Sequence, residues 1–304
     1  MQAILVVGSL NADLVVRVSR FPVPGETISG GDLTTIPGGK GANQAVAAAR
    51  LGVPTAMLGR VGDDQLGQML LDNLECNKVD ASRVLTGQYS TGTAVIIVNE
   101  EGQNSIVLSP GANGQVTKSD VEKYESDFKN AKYLLLQLEI PLDVVICAAQ
   151  TARKNGLKVL LNPAPARELP DELLENIDFI VPNESELSLL TGMPVRGTES
   201  AIEAARRLQQ KGTFKVIVTL GDKGVLYINQ EEVIQEPAFL IETVDTTAAG
   251  DAFIGGLASS FASGKELRES LRYACACGAL ACTKFGAQPS LPSAVDVDIF
   301  LAGV

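Results

Sequence analysis

The chain has 304 residues, 45% of them hydrophobic and 20% charged, which is enough to bury a sizeable core and too apolar for disorder. It contains no histidine, which excludes Ser-His-Asp and Cys-His catalysis and any histidine-ligated metal. Its formal charge of −11 argues against a nucleic-acid partner, since phosphate backbones are bound by basic surfaces.

Residues 4–8 (Ile-Leu-Val-Val-Gly) read as a first buried strand. Short strands at 14–18 and 26–29 follow. The glycine-rich run Pro37-Gly38-Gly39-Lys40-Gly41-Ala42-Asn43 then leads into a helix at 41–51. A strand at 55–59 and a helix at 64–76 come next. Residues 93–98 and 105–108 form a hairpin through Asn99-Glu100-Glu101-Gly102. Further strands are expected at 133–136, 159–162, 179–181 and 215–220. Helices are expected at 142–155, 185–191, 200–211, 252–263 and 267–285. This alternation predicts an α/β fold: a mostly parallel sheet flanked by helices on both faces, in a single domain spanning 1–304. Insertions at about 12–36 and 91–110 predict a small β-sheet, serving as a lid over the active site or as a dimer contact through a strand edge.

In such sheets ligands bind at the carboxyl ends of the strands, where Asn11, Asp13, Glu139, Asn162 and Asn183 fall. No apolar run is long enough to span a bilayer, and no basic stretch precedes an apolar one near residue 1. A cytoplasmic protein without membrane contact is therefore expected. The odd set of cysteines, Cys76, Cys147, Cys275, Cys277 and Cys282, fits reduced core thiols, and the spacing of the last three is poor for zinc.

The most informative segment is Asp245-Thr246-Thr247-Ala248-Ala249-Gly250-Asp251. Apolar residues at helical spacing follow it, so Gly250 and Asp251 sit at a helix N-terminus, where backbone N–H groups lack partners and the macrodipole is positive. Small residues let a bulky anion approach, giving an anion hole with a carboxylate at its rim. A phosphate beside a general base is minimal equipment for phosphoryl transfer to a hydroxyl. Net charge does not draw such an anion in, so dipoles and bound cations must hold it. The run around Lys40 is not a P-loop, because Gly41 replaces Ser or Thr after the lysine and Thr34 stands at the first glycine. It also fails the dinucleotide fingerprint, with Gln44 where a glycine belongs.

Together these segments resemble the ribokinase-like (PfkB) carbohydrate kinase family. The likeness runs in order along essentially the whole chain. It is carried by Gly8-Ser9-Leu10-Asn11-Ala12-Asp13, Pro24-Gly25-Glu26-Thr27, Gly38 to Ala45, Asn162-Pro163-Ala164-Pro165-Ala166-Arg167, Pro182-Asn183-Glu184-Ser185-Glu186, Thr219-Leu220-Gly221, Ala249-Gly250-Asp251 and Gly286-Ala287-Gln288-Pro289-Ser290.

The resemblance implies transfer of the γ-phosphate of ATP to the 5-hydroxyl of D-ribose. Deoxyribose, another sugar or a nucleoside is the nearest alternative acceptor, and a catalytically silent sugar-binding regulator is a rival from another class. Asp251 would be the base, with Ala249 and Gly250 supplying the anion hole. A carboxylate at a helix N-terminus is expected to be a weak base, because the dipole favours its ionised form. The implied sugar site is Asn11, Asp13, Gly39, Lys40, Asn43 and Glu139 with Asp251. The implied ATP site is Asn183, Glu186, Thr219, Leu220, Gly221, Asp222, Lys223, Gly224, Gly250 and Cys275, the last at a position where family members often carry a histidine or another polar residue. Asn183 and Glu186 would organise Mg²⁺ through water. Asp245, Thr247, Ala281, Lys284, Gly286 and Ser290 match the family's ligands for an activating K⁺. A homodimer is implied as well.

Overall fold

The computed structural model describes residues 3–212 and 215–304; residues 1, 2, 213 and 214 of the expected domain lie outside the described residues. Thirteen strands are present among the described residues: β1 Ile4–Val7, β2 Asn11–Arg17, β3 Thr34–Gly38, β4 Thr55–Gly62, β5 Asp80–Gly87, β6 Gly92–Val98, β7 Asn104–Ser109, β8 Tyr133–Leu136, β9 Lys158–Leu161, β10 Phe179–Ile180, β11 Lys215–Thr219, β12 Val225–Ile228 and β13 Val233–Glu236. The helices are α1 Lys40–Arg50, α2 Gln65–Cys76, α3 Lys118–Lys123, α4 Glu125–Phe128, α5 Leu142–Lys154, α6 Asp171–Leu174, α7 Glu184–Thr191, α8 Thr198–Gln209, α9 Ala249–Ala262, α10 Leu267–Ala281, α11 Ala287–Ser290 and α12 Ala294–Ala302.

Nine strands form one sheet in the order β13-β12-β11-β10-β9-β8-β1-β4-β5, parallel from β11 to β5 and antiparallel at β12 and β13. The central strands are apolar on both sides, Ile-Leu-Val-Val in β1 and Tyr-Leu-Leu-Leu in β8, because helices cover both faces. Two hydrophobic clusters result. One places Val6, Leu135 and Ile217 under α1, α9 and α10; the other places Leu5, Leu136 and Val216 under α5, α7 and α8. The expected fold is present, with main-sheet strands within a few residues of their predicted bounds. Strands β5, β12 and β13 are additions: β5 is mostly half-buried with Val84 its one buried residue, and β12 and β13 are four residues each.

The strand order reverses at β1, which lies between β4 and β8, so the carboxyl ends of β1 and β8 border the topological switch point. Above them α1 and α9 approach closely: a Cβ on Gly255 would lie 2.4 Å from Ala47 Cβ. On its other side α9 meets α10, where a Cβ on Gly256 would lie 2.7 Å from Cys277 Sγ.

The second sheet has four strands in the order β3-β2-β6-β7. It corrects one expected strand. Residues 26–29 are not extended into the sheet; the partner of β2 is β3, eight residues on from residue 26. Glu26 instead closes a local loop, accepting from the Val23 N–H at 3.0 Å and pairing with Arg20. The last long helix also stops earlier than expected, at Ala281 rather than 285. Residues 282–285 turn away so that the Cys282 carbonyl can accept from the N–H groups of Val244 and Asp245. Helix α9 starts three residues earlier than expected, at Ala249.

Candidate active site

Residues 8–11, leaving β1, meet the glycine turn that starts α1. Gly39 has φ 87° and a Cβ there would lie 2.6 Å from the Asn11 amide nitrogen; one on Gly41 would lie 2.6 Å from the Ser9 nitrogen. Only glycine allows this approach. Glu139, just past β8, then ties the junction together. Its Oε2 accepts from Ser9 Oγ at 2.6 Å, Lys40 N at 3.1 Å and, at the long limit, Asn11 Nδ2 at 3.5 Å. Asn113, which the sequence reading missed, clamps the same junction: it exchanges two 2.9 Å bonds with the backbone of Leu10 and donates to Asn11 Oδ1 at 2.7 Å. Nothing local marks Asn113, which sits in a 3₁₀ turn after the small sheet.

Asp13 is buried in β2, and Gly38 lies so close that a Cβ there would meet Asp13 Oδ2 at 2.3 Å. Burial, with the charges of Glu139 and Asp251, pushes the Asp13 carboxyl up to about 7 against the pull of Lys40. Lys40 is surrounded by carboxylates. Burial opposes its charge, but Asp251, Glu139, Glu186 and Asp13 outweigh it and hold its pKa above the ordinary lysine value.

Asp251 is 5% exposed and occupies the first turn of α9. Asn43 Nδ2 donates to its Oδ2 at 2.9 Å and Gln44 Nε2 to its Oδ1 at 3.0 Å. The expectation of a weak base is corrected in direction. Burial raises the Asp251 pKa above the usual carboxylate range, outweighing Lys40, Asn43 and Gln44, which lower it; the charge of Glu139 raises it further. The position on the helix was read correctly, but desolvation decides the sign, and desolvation is set by tertiary packing.

A cavity of about 190 Å³ is lined by Lys40, Asn162, Val181, Asn183, Glu186, Thr219, Thr246, Thr247, Gly250, Asp251 and Ile254. It gathers residues expected in the sugar, nucleotide and cation sites around one space. A Cβ on Gly250 would meet no protein atom within 4 Å, so the start of α9 faces open space. Asn183 caps α7 in a reciprocal box: its side chain accepts from the Glu186 N–H at 2.8 Å, and Glu186 Oε2 accepts from the Asn183 N–H at 2.9 Å. Burial raises the Glu186 pKa, countered by that N–H and by Lys40. A second cleft of about 320 Å³, between the small sheet and the core, includes Asn11, Leu108, Asn113, Glu139 and Pro165.

The other expected nucleotide residues do not line this cavity. Leu220 is a buried core side chain, Gly221–Lys223 form a 3₁₀ turn beyond β11, and Gly224 packs against the backbone of residues 236–238. Cys275 is buried in α10 near Glu236, and burial pushes its thiol up to about 12. All five cysteines are free, and Cys76, at the end of α2, is exposed.

Among the expected cation ligands, Asp245, Thr247 and Gly286 come together directly. Asp245 Oδ1 accepts from the Thr247 N–H at 2.9 Å and Oγ1 at 2.5 Å, and its Oδ2 accepts from the Gly286 N–H at 2.9 Å. These bonds and Arg17 hold the Asp245 carboxyl below its ordinary range despite partial burial. Ala281 ends α10, Lys284 lies in the turn that follows, and Ser290 Oγ donates to the Ala287 carbonyl at 2.8 Å.

The family model described as pfkB family carbohydrate kinase matches residues 1–294. The chain is 42% identical to a ribokinase of Haemophilus influenzae over 301 residues, 99% of this chain and 98% of the relative. It is 39% identical to a deoxyribokinase of Salmonella typhi, with 98% of both covered. Its structure aligns with that of Arabidopsis thaliana ribokinase complexed with ribose and ATP at a TM-score of 0.94 and 38% identity, covering 99% of each chain. With a family match over nearly its whole length, the chain belongs to the pfkB family of carbohydrate kinases and is a phosphotransferase with an alcohol group as acceptor.

Proposed function

We propose that this kinase transfers the γ-phosphate of ATP to the 5-hydroxyl of D-ribose, giving D-ribose 5-phosphate and ADP. One observation carries the reading: Asp251, Lys40 and the open helix start at Gly250 line one cavity, within electrostatic reach of Asp13 and Glu139. Asp13 and Glu139 accept from hydroxyls, while Asn11 and Lys40 donate, which suits a polyol. Gly39 and Asn43 complete the sugar site from the start of α1. Asp251 takes the hydroxyl proton, and its raised pKa makes it a better acceptor than a solvated carboxylate. The Ala249 N–H donates to the Thr246 carbonyl at 3.2 Å, so the Gly250 N–H is the one offered to the charge that develops on the phosphoryl group.

ATP would lie along Asn183, Glu186 and the 219–224 segment, with its terminal phosphate at Gly250. The fit is favourable there, because the space over Gly250 is open and no side chain caps the start of α9. Among the described residues no cluster of three acidic or cysteine side chains is arranged for a metal. Mg²⁺ would therefore be held by phosphate oxygens and water beside Asn183 and Glu186. Asp245, Thr247 and Ser290 with carbonyls of Ala281, Lys284 and Gly286 form an all-oxygen set with one carboxylate, suited to K⁺, which would order the loop entering α9. The small sheet acts as a lid, and its edge strand β7, exposed along all six residues, offers a pairing edge for a homodimer. Free cysteines accord with a reducing cytoplasm.

The test is ADP release from Mg-ATP with K⁺ present, across ribose, 2-deoxyribose, arabinose, fructose and adenosine. Preference for ribose upholds the reading; preference for 2-deoxyribose, the acceptor named for the Salmonella relative, moves the specificity and keeps the kinase. Asp251→Asn should lower kcat by about 10²–10⁴-fold with sugar binding kept. Activity near the parent level would remove Asp251 from the chemistry.

A further inference from the structure

From Asp251 and the cavity edge at Asn162 a chain of buried amides runs to Gln137, and no step above uses it. Gln137 Nε2 donates to Gln44 Oε1 at 2.6 Å. Gln44 Nε2 donates to Asp251 Oδ1 at 3.0 Å and to Asn162 Oδ1 at 3.3 Å. Asn162 Nδ2 donates to the Val181 carbonyl at 3.3 Å. Gln44 and Gln137 are completely buried, and Asn162 nearly so. The chain links residues just beyond β8, β9 and β10 to α1 and α9, across the carboxyl edge of the sheet.

Its polarity is determined at one end. A backbone carbonyl can only accept, so Asn162 must turn its NH₂ to Val181 and its oxygen to Gln44. Gln44 must then present its NH₂, which uses both of its N–H bonds on Asn162 and Asp251. That leaves Gln44 Oε1 to be met by a donor, which Gln137 supplies. Asp251 thus faces an N–H it can satisfy only as an acceptor. We infer that Gln137 and Gln44 form a positioning relay, anchored through Asn162 on the Val181 carbonyl, that keeps Asp251 unprotonated and oriented for proton abstraction.

The charges around Asp251 make such a device necessary. Lys40 is the cation that favours its charge, while Glu139 opposes ionisation and Asp13 and Glu186 are coupled to it with the same sign. Asn43 holds the other oxygen, Oδ2. Gln137 is also a costly residue if its role is packing alone. Its Oε1 has no hydrogen-bond partner among the described residues, and a Cβ on Gly8 would lie 2.1 Å from it. A buried amide with an unpaired oxygen is poor filler compared with an apolar side chain of the same shape.

This inference rests on Asp251 being the base, and the experiment separates the two. The variants are Gln44→Met and Gln137→Met, close in shape and unable to donate, with Gln137→Glu as a carboxylate that accepts but does not donate when ionised. Each is assayed for kcat and KM for the sugar from pH 5.5 to 9, beside thermal denaturation. Gln44→Met should lower kcat about 100-fold, and Gln137→Met and Gln137→Glu about tenfold, with sugar KM within about threefold of the parent. In Gln44→Met the acid limb of the kcat profile should move to higher pH by about one unit, because the lost donor had favoured the ionised form; in the two Gln137 variants it should move the same way by less, because Gln44 is then free to turn its oxygen toward Asp251. An unmoved limb, whether or not the melting temperature falls, overturns the relay and leaves these glutamines structural. If Asp251→Asn also retains activity, the fault lies in the assignment of the base instead.

Discussion

At Asp13 function and stability pull against each other. A carboxyl shifted from the ordinary 3.8 to about 7 binds its proton more tightly in the folded than in the unfolded chain. Its contribution to stability is therefore fully present below pH 3.8 and lost as pH rises through about 7. At about 1.36 kcal/mol per pH unit, that span is a cost of about 4 kcal/mol above pH 7 and about 2 kcal/mol at pH 5. Asp13→Asn removes the titration. It should raise the melting temperature at pH 8 by up to about 8 °C, taking about 2 °C per kcal/mol for a chain of this size, and by about half as much at pH 5. The same change replaces a hydroxyl acceptor and should raise the sugar KM at least tenfold. In the parent enzyme, with its carboxyl pushed up to about 7, Asp13 should lose its charge as pH falls from 8 to 6, so kcat/KM for the sugar should fall over that interval. The assay is circular dichroism melting of both proteins at pH 5 and pH 8, with steady-state kinetics alongside. A stability gain equal at the two pH values, or a loss at pH 8, would show that burial and the neighbouring carboxylates do not govern Asp13.

Two further substitutions separate binding surface from scaffold. Gly250→Ala adds a methyl that meets no protein atom, so the melting temperature should hold or rise, while kcat falls at least tenfold as the methyl enters the space proposed for the phosphoryl group. Parent activity in that variant would place the phosphate elsewhere. Replacing K⁺ by Na⁺ should depress turnover, and Asp245→Ala should abolish the difference between the two ions; indifference of the parent to the cation would leave the Asp245 loop as a turn held by Thr247 and Gly286.

Local pattern was sufficient for much of this molecule. Apolar runs such as Ile-Leu-Val-Val and Tyr-Leu-Leu-Leu announce strands buried on both faces, and the spacing after Gly250 announces α9, because each signal lies within one element. Glycines at 39, 41 and 250 were legible as points of close approach, although only the structure separates the first two, pressed on the backbone of residues 8–11, from the third, open to the cavity. The composition alone excluded histidine chemistry. Strand β5, half of it polar, and the pairing of β2 with β3 depended on partners distant in sequence. So did Asn113, which lies in an unremarkable turn but reaches back 103 residues to hold Leu10. The protonation of Asp251 belongs to the same class. A sequence displays the helix N-terminus, a favourable local field, but not the exclusion of water or the carboxylates of Glu139, Asp13 and Glu186 gathered from other strands and helices. Desolvation and long-range charge are properties of the packed site, and they decide whether this carboxylate acts as a base.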